Sequence, residues 1–132
     1  MRTILQPAAL MLATIALCLA GGDSASAAPI KSKVNITKAF DDLDGVVVRG
    51  NVTSAKPACL KNRRVRVYHD VDPPGPSLYD FFLGEAVTNA EGKWRLASME
   101  HPDKVYAKVL KKKRPGRDCG GDRSPTEPVE VP

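Results

Sequence analysis

The chain is poor in what catalytic and nucleic-acid-binding domains need. It holds 2 histidines and 3 cysteines, and aromatic residues make up only 5%. There is no Gly-rich phosphate loop. Ser54, Ser77, Ser98 and Ser124 all lack the Gly-x-Ser-x-Gly setting of a nucleophile elbow. His69 and His101 stand on separate connectors without zinc-ligand spacing. Asp42-Leu43-Asp44-Gly45 echoes part of a calcium loop, but the further oxygen ligands at fixed spacing are missing. These absences argue against an enzyme, a metal site and a cofactor. No aromatic motif accompanies the basic run, which argues against nucleic acid, because base stacking needs exposed rings. No apolar run follows residue 20, so no membrane span is expected.

The one long apolar run lies at the start. Arg2 gives a short positive region, and Ala8 to Ala20 is almost wholly apolar. That is the length of a signal-peptide core and too short to cross a bilayer. Gly21 and Gly22 follow, then Ala25-Ser26-Ala27 as an A-x-A cleavage site. Residues 1–27 therefore read as a cleaved signal peptide, and 28–132 as a single secreted domain. A retained anchor and a lipoprotein are the alternatives. The second would lipidate Cys18, which follows Leu17 where that chemistry wants a small residue. Cleavage removes Cys18 and leaves Cys59 and Cys119. An even cysteine count in an exported chain favours a disulfide. Arg2 and Asp23 leave together, so the formal charge stays at +5.

The remaining residues alternate with a period of two. Short strands are expected around 33–37, 46–53, 64–68, 86–88, 93–96, 105–109 and 129–131. Val46, Val48 and Val52 share one face of the second, and Val65 and Val67 share one face of the third. Asn89-Ala90-Glu91-Gly92 reads as a tight hairpin with Gly92 free to take positive φ. No stretch has a helical period, and there is no internal repeat. Seven short antiparallel strands in about 100 residues imply an all-β sandwich of two packed sheets with one disulfide.

Val48-Arg49-Gly50-Asn51-Val52, Arg64-Val65-Arg66-Val67-Tyr68, Gly84, Val87 through Trp94, and Tyr106-Ala107-Lys108-Val109 follow in an order that resembles the transthyretin-like (prealbumin-like) sandwiches. These include the carboxypeptidase-regulatory-like domains, and the closest likeness is to small secreted bacterial members. The resemblance covers residues 46–110 most clearly. It implies an Ig-like or prealbumin-like fold. The hydrolase branch of that family ends in Tyr-Arg-Gly-Ser, whereas this chain ends Pro-Val-Glu-Val-Pro, so its activity does not carry over. No asparagine follows Asn89, so the isopeptide cross-link of pilin-type relatives is not expected either.

If strands run alternately up and down, connectors alternate between the two ends. Cys59 and Cys119 then share one end with Lys56, Lys61, Arg63, Arg64, Lys111, Lys112, Lys113, Arg114, Arg117 and Arg123. The opposite end collects Asp41, Asp42, Asp44, Asp70, Asp72, Asp80, Glu100 and Asp103. The basic end suggests contact with a polyanion, in particular through Lys61, Arg63, Arg64, Lys111–Lys113, Arg114 and Arg117. Such charge is also what soluble loops carry. Leu78-Tyr79-Asp80-Phe81-Phe82-Leu83 is the other unusual stretch. Either a phenylalanine folds back to cap the open end of the core, or Tyr79, Phe81 and Phe82 form a patch for a protein partner. The expected function is a non-catalytic secreted module with a binding or structural role at the cell surface or in the medium. Its partner would be a protein or an anionic polymer at the envelope. A polyanion binder and an enzyme inhibitor are the alternatives.

Overall fold

The computed structural model of the protein describes residues 28–71 and 79–132. The expected signal peptide, with Cys18, and the residues from Asp72 to Leu78 lie outside the described residues. Among those described there are eight strands. They are β1 (Ser32–Asp42), β2 (Gly45–Ser54), β3 (Arg64–His69), β4 (Phe81–Val87), β5 (Lys93–Ser98), β6 (Lys104–Val109), β7 (Asp122–Arg123) and β8 (Glu127–Pro128). The only helical element among them is one short 3-10 turn, Pro57–Cys59.

The strands form two antiparallel sheets. The smaller has the order β1-β2-β5. The larger runs β4-β3-β6, with β7 and β8 both pairing with β6. The count of seven expected from the sequence is therefore corrected to eight. The difference lies at the end of the chain: among the described residues the strand expected at 129–131 is absent, with only an isolated bridge between Phe40 and Glu130 there, and β7 and β8 come before it. Residues 122–128 follow the edge of β6, but Pro125 carries no N–H and cannot donate to the ladder. Ser124 keeps the segment in place by both routes: its N–H donates to the Ala107 carbonyl at 2.8 Å, and its Oγ accepts from Ala107 N–H at 2.8 Å. Two dipeptides on either side of a proline have no readable period.

The valine alternation fills the space between the sheets. Val46, Val48 and Val52 from β2 meet Val65 and Val67 from β3 and Val105, Ala107 and Val109 from β6, all buried around Trp94. Arg49 and Thr53, on the other face of β2, are exposed. Gly50 makes room for Trp94: a Cβ there would come within 2.1 Å of the Asn35 carbonyl oxygen and 2.4 Å of the indole ring. Gly92 closes the β4–β5 turn at φ 81°, while Asn89 Oδ1 accepts from the N–H groups of Glu91 (2.9 Å) and Lys93 (3.0 Å).

β4 begins at Phe81, so part of the expected connector is strand. It is an edge strand with a register shift opposite Val67 and Tyr68. That irregularity hides its period of two from the sequence.

Candidate functional site

Two ends of the sandwich and one outer face carry the chemistry-bearing residues. At one end, Cys59 and Cys119 are joined by a disulfide and wholly buried, with Cα atoms 5.6 Å apart. Ile30 packs against them. Lys112 and Cys119 exchange backbone hydrogen bonds of 3.0 and 2.8 Å, which holds the basic run against the bridge.

The basic residues expected at this end divide into two groups. Arg63 is fully buried. Its Nη1 donates to Ser32 Oγ (2.8 Å) and the Cys59 carbonyl (2.9 Å), and its Nη2 to the Leu110 (2.8 Å) and Gly120 (2.7 Å) carbonyls. Burial pulls its pKa down from the ordinary value. Arg63 is thus a clamp on the disulfide end and is removed from the expected polyanion surface. Arg64 reaches over to β4, where its Nε lies 2.7 Å from Glu85 Oε1, and that pairing raises its pKa. Arg117 Nε donates to the Ala28 carbonyl (3.0 Å) and Lys112 Nζ to the Lys61 carbonyl (3.0 Å). Desolvation and then the neighbouring Arg63, Lys61 and Arg114 charges lower the Lys112 pKa. Lys61, Lys111 and Lys113 are exposed, and Arg114 is half-buried. Arg123 leaves this end: its guanidinium lies 3.9 Å from the Tyr106 ring centroid and 3.9 Å from Asp70 on the larger sheet.

The arginine belongs to a stack on the outer face of that sheet. Tyr106 and Tyr68 are stacked at 5.3 Å, and Phe82 tilts against Tyr68 at 5.6 Å. The Tyr106 hydroxyl donates to Asp80 Oδ2 at 2.7 Å. Burial and that carboxylate raise the phenol pKa far above its usual value. The rings cover one another, so the stack is a brace for the Asp80 segment.

The opposite end holds the aromatic residues. Phe81 is 65% exposed and Phe82 56%, so neither caps the core. Tyr79 is 75% exposed. Leu43 at the β1–β2 turn (98%) and Met99 after β5 (86%) emerge at the same end. Five of the seven large exposed hydrophobic residues among the described residues are therefore gathered at one pole. The sequence reading missed Leu43 and Met99, because each is a lone apolar residue between polar or charged neighbours.

Between these side chains a cavity of about 300 Å³ is lined by His69, Phe81, Phe82, Leu83, Glu100, His101 and Pro102. Two histidine–carboxylate pairs fix its wall. His69 Nε2 lies 2.9 Å from Asp103, and His101 Nδ1 lies 2.8 Å from Asp41. The connector after β5 is thereby tied to β3 in one sheet and β1 in the other. The His69 contact holds the Asp103 carboxyl below its usual pKa. Asp70 is fully buried and accepts from Thr126 Oγ1. Among the described residues no group of three or more His, Cys, Asp or Glu side chains is placed to hold a metal ion. No helix there is long and apolar enough to cross a membrane. Comparison with protein-family models, curated proteins and solved structures finds no match.

Proposed function

We propose that this chain is an exported, non-catalytic β-sandwich of the transthyretin-like kind that works by binding another protein through its aromatic end. One observation carries the reading. Leu43, Tyr79, Phe81, Phe82 and Met99 expose large apolar side chains at one pole, and a monomer gains nothing from leaving them in water. Aromatic anchors are also what partner surfaces rely on. The two-sheet order, β1-β2-β5 against β4-β3-β6 with β7 and β8, supports the family reading. Replacing Phe82 with serine tests the proposal. Binding is lost while stability changes by no more than about 2 kcal/mol, which the lost contact with Tyr68 accounts for. A large loss of stability would make Phe82 a structural residue and remove it from the patch.

A second reading, anion binding at the disulfide end, is favoured by how the local acids are used. Glu91 pairs with Lys93 at 3.1 Å, Asp118 Oδ1 accepts from Arg114 N–H, and Asp122 Oδ2 accepts from Val34 N–H. Among the described residues, the exposed Lys61, Lys111 and Lys113 have no carboxylate partner. Salt-sensitive retention on heparin resin that falls when Lys111–Lys113 are neutralised supports this reading. Retention that ignores salt, or is absent, opposes it.

A further inference from the structure

An open groove of about 820 Å³ crosses the disulfide end, running over the start of β1, the end of β2 and the approach to β7. Ala28, Pro29 and Ala55 give it an apolar floor, and Thr53 adds a hydroxyl. Lys31, Lys33 and Lys111 line it. None of these three ammonium groups has a hydrogen-bond or ion-pair partner among the described residues. Asp122 is the one acid of the lining among the described residues, and its Oδ2 already accepts from Val34 N–H at 3.0 Å.

The walls are tied to one another. Ser54 Oγ donates to the Lys31 carbonyl (2.9 Å), and Gly120 N–H to the Ile30 carbonyl (2.8 Å). Arg117 Nε holds the Ala28 carbonyl, and buried Arg63 holds the Gly120 carbonyl and Ser32 Oγ. The groove is formed before any ligand arrives, which lowers the ordering cost of binding.

We infer that this groove binds a linear phosphodiester polymer, with Lys31, Lys33 and Lys111 on successive phosphates and the uncharged spacers on Ala28, Pro29 and Ala55. The inference rests on the anion-binding reading above and gives it a location. The charge and openness of the groove suit a chain that enters and leaves at its ends. Lysine binds phosphate as a point charge and needs no fork geometry, so three separate ammonium groups suit a flexible chain of phosphates with uncharged spacers between them. The nearby arginines are engaged elsewhere: Arg63 with carbonyls, Arg64 with Glu85 and Arg117 with Ala28. Among the described residues no aromatic ring lines the groove, so nucleic-acid bases would have nothing to stack on.

The test is fluorescence anisotropy of residues 28–132 with a labelled glycerol-phosphate oligomer, and with a poly-glutamate of equal charge. The expected result is tighter binding of the phosphodiester, with log K falling against log salt at a slope of about −2, as for three contacts on a flexible single strand. Replacing Lys31, Lys33 and Lys111 with glutamine weakens binding at least tenfold. Replacing Lys61 and Lys113 with glutamine weakens it less than threefold. If only the second set matters, the groove is wrong and the general basic-end reading survives. If neither polymer binds at low salt, both fail. Equal or tighter binding of poly-glutamate overturns the choice of phosphate.

Discussion

Replacing Arg63 with methionine should be among the most destabilising single changes in the protein. The guanidinium is wholly buried and makes four hydrogen bonds, three of them to backbone carbonyls from separate segments. Among the described residues no carboxylate pairs with it. Its charge is met by carbonyl and hydroxyl dipoles alone. Methionine fills much of the space and removes the cost of burying a charge. It also leaves the Cys59, Leu110 and Gly120 carbonyls without donors, each costing about 1–3 kcal/mol. A net loss of about 3–5 kcal/mol follows when the relief of no longer burying a charge is set against three stranded carbonyls. That is a large share of the roughly 5–15 kcal/mol that holds a domain folded. Urea unfolding at neutral pH measures it: the midpoint falls by about 2 M at a slope near 2 kcal/mol/M, and the slope itself is unchanged. The disulfide clamps the same end, so the effects of R63M and of reduction are not additive. A loss below about 1 kcal/mol, or full stability with lost anion binding, would refute the structural role given to Arg63.

Other consequences follow from the same contacts. Replacing both Cys59 and Cys119 with alanine releases a loop whose ends are 60 residues apart and costs about 4 kcal/mol by loop-closure entropy, read by urea unfolding. Gly50→Ala drives a methyl group into the Asn35 carbonyl and the Trp94 ring, and should cost about 1–3 kcal/mol or more, read as a lower Tm. Arg64 holds the Glu85 carboxyl below its usual range, so its stabilising effect is present above the unfolded glutamate pKa of about 4.3 and is lost as pH falls through the lower folded value. E85Q should therefore flatten the acid limb of a stability–pH curve; an unchanged limb would count against that pairing.

The fold was legible where side chains alternate without interruption. Val46, Val48 and Val52 point inward because one face of β2 is packed and the other is wet, and that pattern is local. The disulfide was legible from cysteine parity and connector parity together. The broken edge strand at 122–128 was not, since its placement comes from Ser124 and from pairing to β6, both set by tertiary contact. The basic end was legible as a cluster of charge but not in its detail. Nothing local distinguishes buried Arg63 from exposed Arg64, and Lys31 and Lys33 reach the groove only because β1 begins beside residues 120–122. The aromatic end was half legible: Tyr79, Phe81 and Phe82 stood out as a run, while Leu43 and Met99 join them only through the fold.

The aromatic end, as proposed, is a surface for a protein partner. The direct measurement is affinity capture from the protein's own cell envelope and culture medium, using residues 28–132 and a variant with Leu43, Phe81 and Phe82 changed to serine. The parent chain should retain a protein saturably, and the folded variant should release it. Equal retention by both chains, or no protein retained by either, would contradict it.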